Sequence, residues 1–273
     1  MSLTIASGPL AIRPAPSNYA IDGPAHRLFF EPHPRRVRAV LAGRTVLDTV
    51  RGQLLHESNL LPVLYVPIED LDAGALEPTD KRTHCPFKGD ASYWSLRVGD
   101  RVSKNAAWTY REPLGAASWL TGYAALYWDR VDAWYEEDDE VRGHLRDPYH
   151  RVDARPSSRR VEIVSGDAVI AESERAVLVF ETGLPIRAYV PREDVQAELE
   201  PSDKRTICPY KGEASYWSVR LADGSLLQDA VWSYETGRLL VDGPHQIADL
   251  VSFIHDDVEV RIAGLERSAA GVG

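Results

Sequence analysis

Cysteine and methionine are almost missing from this chain, with two Cys and one Met in 273 residues. Two thiols cannot form a disulfide framework. Cys85 and Cys208 also hold matched places in an internal repeat, so a bridge would have to join two domains at equivalent points. Both are expected to be free thiols. Neither sits in a C-x-x-C, and no four Cys or His ligands occur at the spacing of a structural zinc site, so no metal is expected.

Positive charge is also in deficit, with a formal net charge of −10 at pH 7. That excludes the clustered cationic surface needed to bind a phosphate backbone, so nucleic acid is not an expected partner. No apolar run approaches the roughly 20 residues that span a bilayer, and "MSLTIASGPLAIRPAPSNYA" has no cationic segment ahead of an apolar one. The expected location is the cytoplasm, away from membranes. No Gly-rich dinucleotide pattern or phosphate loop opens a helix, so no cofactor is expected.

What the chain does contain is 44% apolar and 26% charged residues, ordinary values for a folded protein, and one sentence written twice. "KRTHCPFKGDASYWSL" runs from Lys81 to Leu96, and "KRTICPYKGEASYWSV" from Lys204 to Val219. Sliding the chain by 124 residues aligns His26 with His150, Glu57 with Glu181, Tyr65 with Tyr189, Glu69 with Glu193, Trp108 with Trp232 and Tyr110 with Tyr234. One residue is lost in the second copy ahead of "EPSDKRT", and that deletion is expected to lie in a loop. Each unit is roughly 115 residues, the size of a domain. The boundaries read as an extended arm over 1–24, a first domain over 25–140, a polar linker over 141–148, a second domain over 149–267 and a tail over 268–273.

Short Val-rich runs separated by turn residues predict antiparallel β domains. They are "VRAVLAG", "TVLDTV", "QLLHE" and "VLYVP" in the first unit, matched by "VEIVSG", "AVIAES", "AVLVFE" and "IRAYVP" in the second. "SYWSLRV" and "AAWTY" predict a strand pair across Gly99-Asp100, as do "SYWSVRL" and "AVWSY" across Asp223-Gly224. Helical turns are expected only in "GAASWLTGY" and "HQIADLV". The stretch "EPTDKRTHCPFKG" reads as a Pro- and Gly-punctuated loop feeding the Tyr-Trp strand.

Lysine usage picks out that motif. Of 31 basic residues 26 are Arg and five are Lys, and Lys81, Lys88, Lys204 and Lys211 lie within its two copies. Lys88 and Lys211 therefore read as ammonium groups required as such, where Arg substitutes poorly. Asp90 and Glu213, one residue beyond Lys-Gly, read as acidic partners of these lysines or as general bases. Two chemistries fit. Cys85 and Cys208 beside these ammonium groups are candidate thiolate nucleophiles. Tyr93, Trp94, Trp108 and Tyr110, with Tyr216, Trp217, Trp232 and Tyr234, are core aromatics or candidate walls of a ligand pocket, with strand alternation turning Trp94 and Trp217 toward a core. His150 and Arg151, at the start of the second unit, read as a strand-entry ion pair or an anion site.

"YVPIEDL", "EPTDKRTHCPFKGDASYWS" and "NAAWTY…GYAALYWDRVDAWYEED" together resemble the bacterial family catalogued as domain of unknown function 427, here in tandem. The resemblance implies a β-tent fold, the architecture of methionine-R-sulfoxide reductases and of the thalidomide-binding domain of cereblon. It implies no activity, and a nucleotidyltransferase-like label attached to the family finds no Gly-Ser followed by Asp-x-Asp here. The second copy departs downstream, where "YETGRLLVDGPHQIADLV" replaces the aromatic stretch. The leading expectation is a binding protein for a small molecule or peptide, with one pocket per domain. A thiol enzyme and a structural or interaction scaffold are the alternatives, and oligomeric state is not legible.

Overall fold

The computed structural model describes residues 25–234 and 247–265. The expected arm over 1–24, the tail over 268–273 and the start of "HQIADLV" lie outside them. The chain divides into two compact units between Asp147 and Pro148.

Both units are all-β. The first contains β1 (Leu28–Pro32), β2 (Val37–Leu41), β3 (Arg44–Thr49), β4 (Gln53–Glu57), β5 (Val63–Pro67), β6 (Leu76–Cys85), β7 (Gly89–Val98), β8 (Arg101–Tyr110), β9 (Tyr123–Leu126), β10 (Ala133–Glu136) and β11 (Asp139–Val141). A seven-stranded antiparallel sheet has the order β1-β4-β5-β9-β8-β7-β6, and a four-stranded sheet the order β11-β10-β2-β3. In the second unit β12 (Val152–Ser157), β15 (Ala176–Glu181) and β16 (Arg187–Tyr189) form one sheet. β17 (Glu198–Cys208), β18 (Gly212–Arg220), β19 (Leu226–Ser233) and β20 (Val251–Phe253) form another. The two meet at a single bridge, Val190 to Val251, with both backbone hydrogen bonds 2.8 Å long. Across that bridge the strand order is the same as in the first unit. β13 (Val161–Ser165), β14 (Ala168–Ser173) and β21 (Glu259–Ile262) make the smaller sheet.

Alternation divides each large sheet into two buried faces. In the first unit Val37, Ala39 and Leu47 of the small sheet pack with Leu54, Val66, Trp94 and Leu96 of the large one. The opposite face carries Leu55, Tyr65, Tyr93, Tyr110 and Ala125, with Trp108 and Cys85 half-buried against them. Leu54 and Leu55 are adjacent and equally buried because β4 is covered on both sides.

The polar stretch read as a loop is mostly strand. β6 spans ten residues and pairs with β7 from Leu76↔Leu96 to Cys85↔Gly89, with a bulge between Pro78 and Arg82. As the edge of the sheet it is solvated, which explains its charge, and a proline is tolerated there. The one-residue deletion falls at the turn entering this strand, as expected. The helical content of the described residues is 3-10 only. Gly115–Leu120 lies where a turn was expected, but further turns at Ile68–Asp70, Trp128–Arg130 and Arg192–Asp194 were not anticipated. The first and last of these follow Pro67 and Pro191, which hold their N-cap positions and whose fixed φ starts a tight turn at the end of a strand.

Candidate functional site

The site grows from the turn between β6 and β7. Gly89 and Gly212 both have φ +99°, a conformation L-residues avoid, so each glycine lets the chain reverse directly after its lysine. Lys88 N donates to Cys85 O at 3.3 Å, and Lys88 O accepts from Leu114 N at 3.0 Å. The side chain is thereby aimed over the aromatic face. It is 7% exposed, and its ammonium hydrogen-bonds to Glu57 at the end of β4.

β4 and β7 are four intervals apart in the sheet order. A flat sheet would separate them by about 19 Å at the usual strand spacing, beyond the reach of a Lys-Glu pair. The sheet therefore curls, its aromatic face is concave, and the ion pair clasps the two sides. A second contact closes the same gap: the Phe87 ring stacks on His26 at 3.9 Å, and His26 Nε2 lies 3.3 Å from Glu57 Oε2. The second domain repeats the clasp. Lys211 donates to Glu181, His150 Nε2 lies 3.0 Å from Glu181 Oε1, and Tyr210 packs on His150 at 4.3 Å. Burial pushes the Glu181 carboxyl up, but hydrogen bonds from His150 and Lys211 and the Lys211 charge outweigh it and hold the pKa at about 2.

Strand register lines up the aromatic floor. Tyr65 faces Ala125, Ala125 faces Trp108 and Trp108 faces Tyr93, one row across four strands. Trp108 Nε1 donates across the small Ala125 to Tyr65 Oη at 3.3 Å, and Trp232 Nε1 to Tyr189 Oη at 3.0 Å. Tyr93 Oη is 2.8 Å from Thr83 Oγ1, and Tyr216 Oη 2.9 Å from Thr206 Oγ1. The Lys81 and Lys204 ammonium groups lie over the Tyr93 and Tyr216 rings, at 4.3 and 4.5 Å. In the first domain Phe30, Trp119, Tyr123 and Tyr127 extend the floor. Phe30 stacks on Trp119 at 4.6 Å, and Trp108 lies 4.4 Å from Tyr127. Burial and a hydrogen bond with Tyr93 push the Tyr127 phenol up to about 12. The second domain has Ala154 at the position of Phe30, and Ile254 after β20 where Tyr127 follows β9.

Of the residues singled out in the sequence, Lys88, Cys85, Tyr93 and Trp108 come together on this face, as do Lys211, Cys208, Tyr216, Trp232 and His150. Trp94 and Trp217 do not: each neighbours the site tyrosine in sequence, so alternation sends it to the core between the sheets. Arg151 is exposed and pairs with Asp153 at 2.9 Å. Asp90 bonds His84 at 2.7 Å on the surface and is not the partner of Lys88. Both cysteines are half-buried free thiols. The acidic partners Glu57 and Glu181, on strands far from the motif, were missed as such. The available signal was an acid closing an apolar strand in both copies, "QLLHE" and "AVLVFE". Among the described residues no three His, Cys, Asp or Glu are grouped as a metal ion would require.

Each unit is thus an all-β domain whose larger sheet curls over aromatic side chains and is clasped by a buried Lys-Glu-His set. Residues 29–137 and 153–264 each match the family described as Domain of unknown function (DUF427), and the chain belongs to that family as a tandem of two copies. No curated protein matches it. Among the described residues no helix is long and apolar enough to cross a membrane.

Proposed function

We propose that the protein binds a small molecule, or the side chain of a peptide, on the concave aromatic face of its larger sheets, with the first domain offering the wider surface. The observation that carries this reading is that Phe30, Trp108, Trp119, Tyr123 and Tyr127 are only half-buried although they pack on one another on one face. Rings left partly open beside a few fixed polar groups are the composition of a ligand site. The clasp supplies the polar end. A buried ion pair is a weak source of stability, and here it joins the two sides of the curl. The second domain keeps the floor but lacks counterparts of Phe30 and Tyr127, so it suits a smaller or different ligand.

A screen of small aromatic compounds by saturation-transfer NMR tests this. Binders are expected with the wild-type chain and should be lost on Trp108→Leu, which keeps bulk but removes the ring and its N–H. Binding that survives this substitution unchanged contradicts the assignment.

A further inference from the structure

The aromatic floor contains two polar groups whose hydrogen-bonding capacity is not used up. Tyr65 and Tyr110 are 1% and 6% exposed, and Tyr189 and Tyr234 are likewise 1% and 6% exposed. Tyr65 Oη accepts from Trp108 Nε1, and Tyr189 Oη from Trp232 Nε1, so each oxygen is held in place while its own proton has no acceptor among the described residues. No hydrogen bond to the Tyr110 or Tyr234 hydroxyl is made among the described residues, yet neither oxygen is sealed from solvent, so each ring is buried while its O–H reaches the open side of the face. The same pair recurs in two domains whose surroundings differ.

The fold brings the two rings of each pair to one face. Tyr110 lies two residues beyond Trp108 on β8 and so points the same way, and Tyr65 shares the row of Trp108 across Ala125. The same cluster holds both tyrosines with Cys85 at its edge. Burial is the main influence pushing both phenols up, so near neutral pH each stays protonated and acts as a donor. The nearest charges, Glu57 and the Lys88 ammonium 5.8 Å from the Tyr110 ring centroid, are already paired with each other. With no unpaired cation beside them among the described residues, two protonated phenols suit a neutral acceptor oxygen.

We infer that Tyr65 and Tyr110, and equally Tyr189 and Tyr234, are paired hydrogen-bond donors for a neutral carbonyl oxygen of the ligand, such as that of an amide, ester or ketone. The inference rests on the ligand-binding reading above and names the ligand's polar anchor.

Two probes of similar shape separate the inference from that reading: benzamide, which carries the carbonyl, and toluene, which lacks it. Their dissociation constants are measured by ligand-observed NMR for the full-length wild type and for the double variant Tyr110→Phe/Tyr234→Phe. The expected result is benzamide binding weakened about ten-fold, the scale of one lost hydrogen bond, with toluene unchanged and the ligand-free melting temperature equal or higher. Benzamide binding that is unchanged in the variant overturns the inference, while continued binding of both probes leaves the ligand-binding reading standing. A clear fall in melting temperature, or a variant that does not fold, also overturns it, because the hydroxyls would then be satisfied within the protein. Binding of neither probe to the wild type overturns both.

Discussion

Lys88 reaches Glu57 across four strand intervals of its own sheet, and Lys211 reaches Glu181 in the same way. Each pair joins parts of the sheet that hydrogen-bonding order keeps apart, so its loss should be felt as opening of the curl as well as loss of a charge pair. Lys88→Met leaves Glu57 buried without its main cation. It should destabilise the first domain by about 3–5 kcal/mol, whereas Lys88→Met combined with Glu57→Leu should recover much of that. Urea unfolding followed by fluorescence measures both. A single variant within about 0.5 kcal/mol of wild type would show the clasp to be incidental.

Acid should loosen the second domain through Glu181. Its pKa is lowered from 4.5 to about 2 on folding, so the unfolded chain binds the proton more readily. The stabilisation is present above the unfolded value, falls as pH drops below about 4.5 and is gone near pH 2. Its size is on the order of 3 kcal/mol. The stability gap between wild type and Glu181→Gln, followed by urea unfolding at each pH, should shrink through that window. A gap that stays constant from pH 6 to pH 2 would rule out this linkage.

The bulge that the Lys81 and Lys204 motifs share is pinned from the next hairpin. Asn105 and Asp229 adopt φ +51°, their backbone N–H groups donate to Ser95 and Ser218 Oγ at 3.1 Å, and their side chains accept from Thr79 at 2.8 Å and Ser202 at 2.5 Å. Asn105→Ala keeps the awkward φ and loses the side-chain bond, for an expected cost of about 2 kcal/mol, and Asn105→Gly, relieved of strain, should cost about half as much. Equal losses for the two would show that backbone strain plays no part.

The thiols separate binding from enzymatic chemistry. If the face binds ligand without covalent steps, Cys85→Ala/Cys208→Ala should keep the affinity of any screened compound within about three-fold, less than 1 kcal/mol. Complete loss, or a covalent adduct on Cys85 seen by intact-protein mass spectrometry after ligand exposure, would favour the thiol chemistry instead.

Much of the fold was legible because its signal is local. Val-rich runs, the Gly99-Asp100 and Asp223-Gly224 turns and the repeat itself placed the strands of both domains, and alternation placed Trp94 in the core and Tyr93 opposite. β6 was misread because a solvated edge strand with a proline and a bulge has the composition of a loop. The site was half legible. The motif marked Lys88 and Lys211, but their partners lie 31 and 30 residues earlier on strands joined to the motif only by the curl of the sheet, so the adjacent Asp90 and Glu213 seemed the natural acids. Tyr110 and Tyr234 stood out in the sequence as members of the aromatic set, but Tyr65 and Tyr189 did not, since only the sheet order brings β5 beside that set.

The most direct measurement of the central claim is the behaviour of the indole N–H resonances, because the sheet carries its own control. Trp108 lies on the concave face, with its N–H bonded to Tyr65, while Trp94 lies on the opposite face in the inter-sheet core. Titration of the ¹⁵N-labelled chain with a compound that passes the screen should shift the Trp108 signal, identified by its loss in Trp108→Leu, and leave that of Trp94 in place. Saturable binding that leaves Trp108 unmoved, or that moves Trp94 instead, would contradict the account.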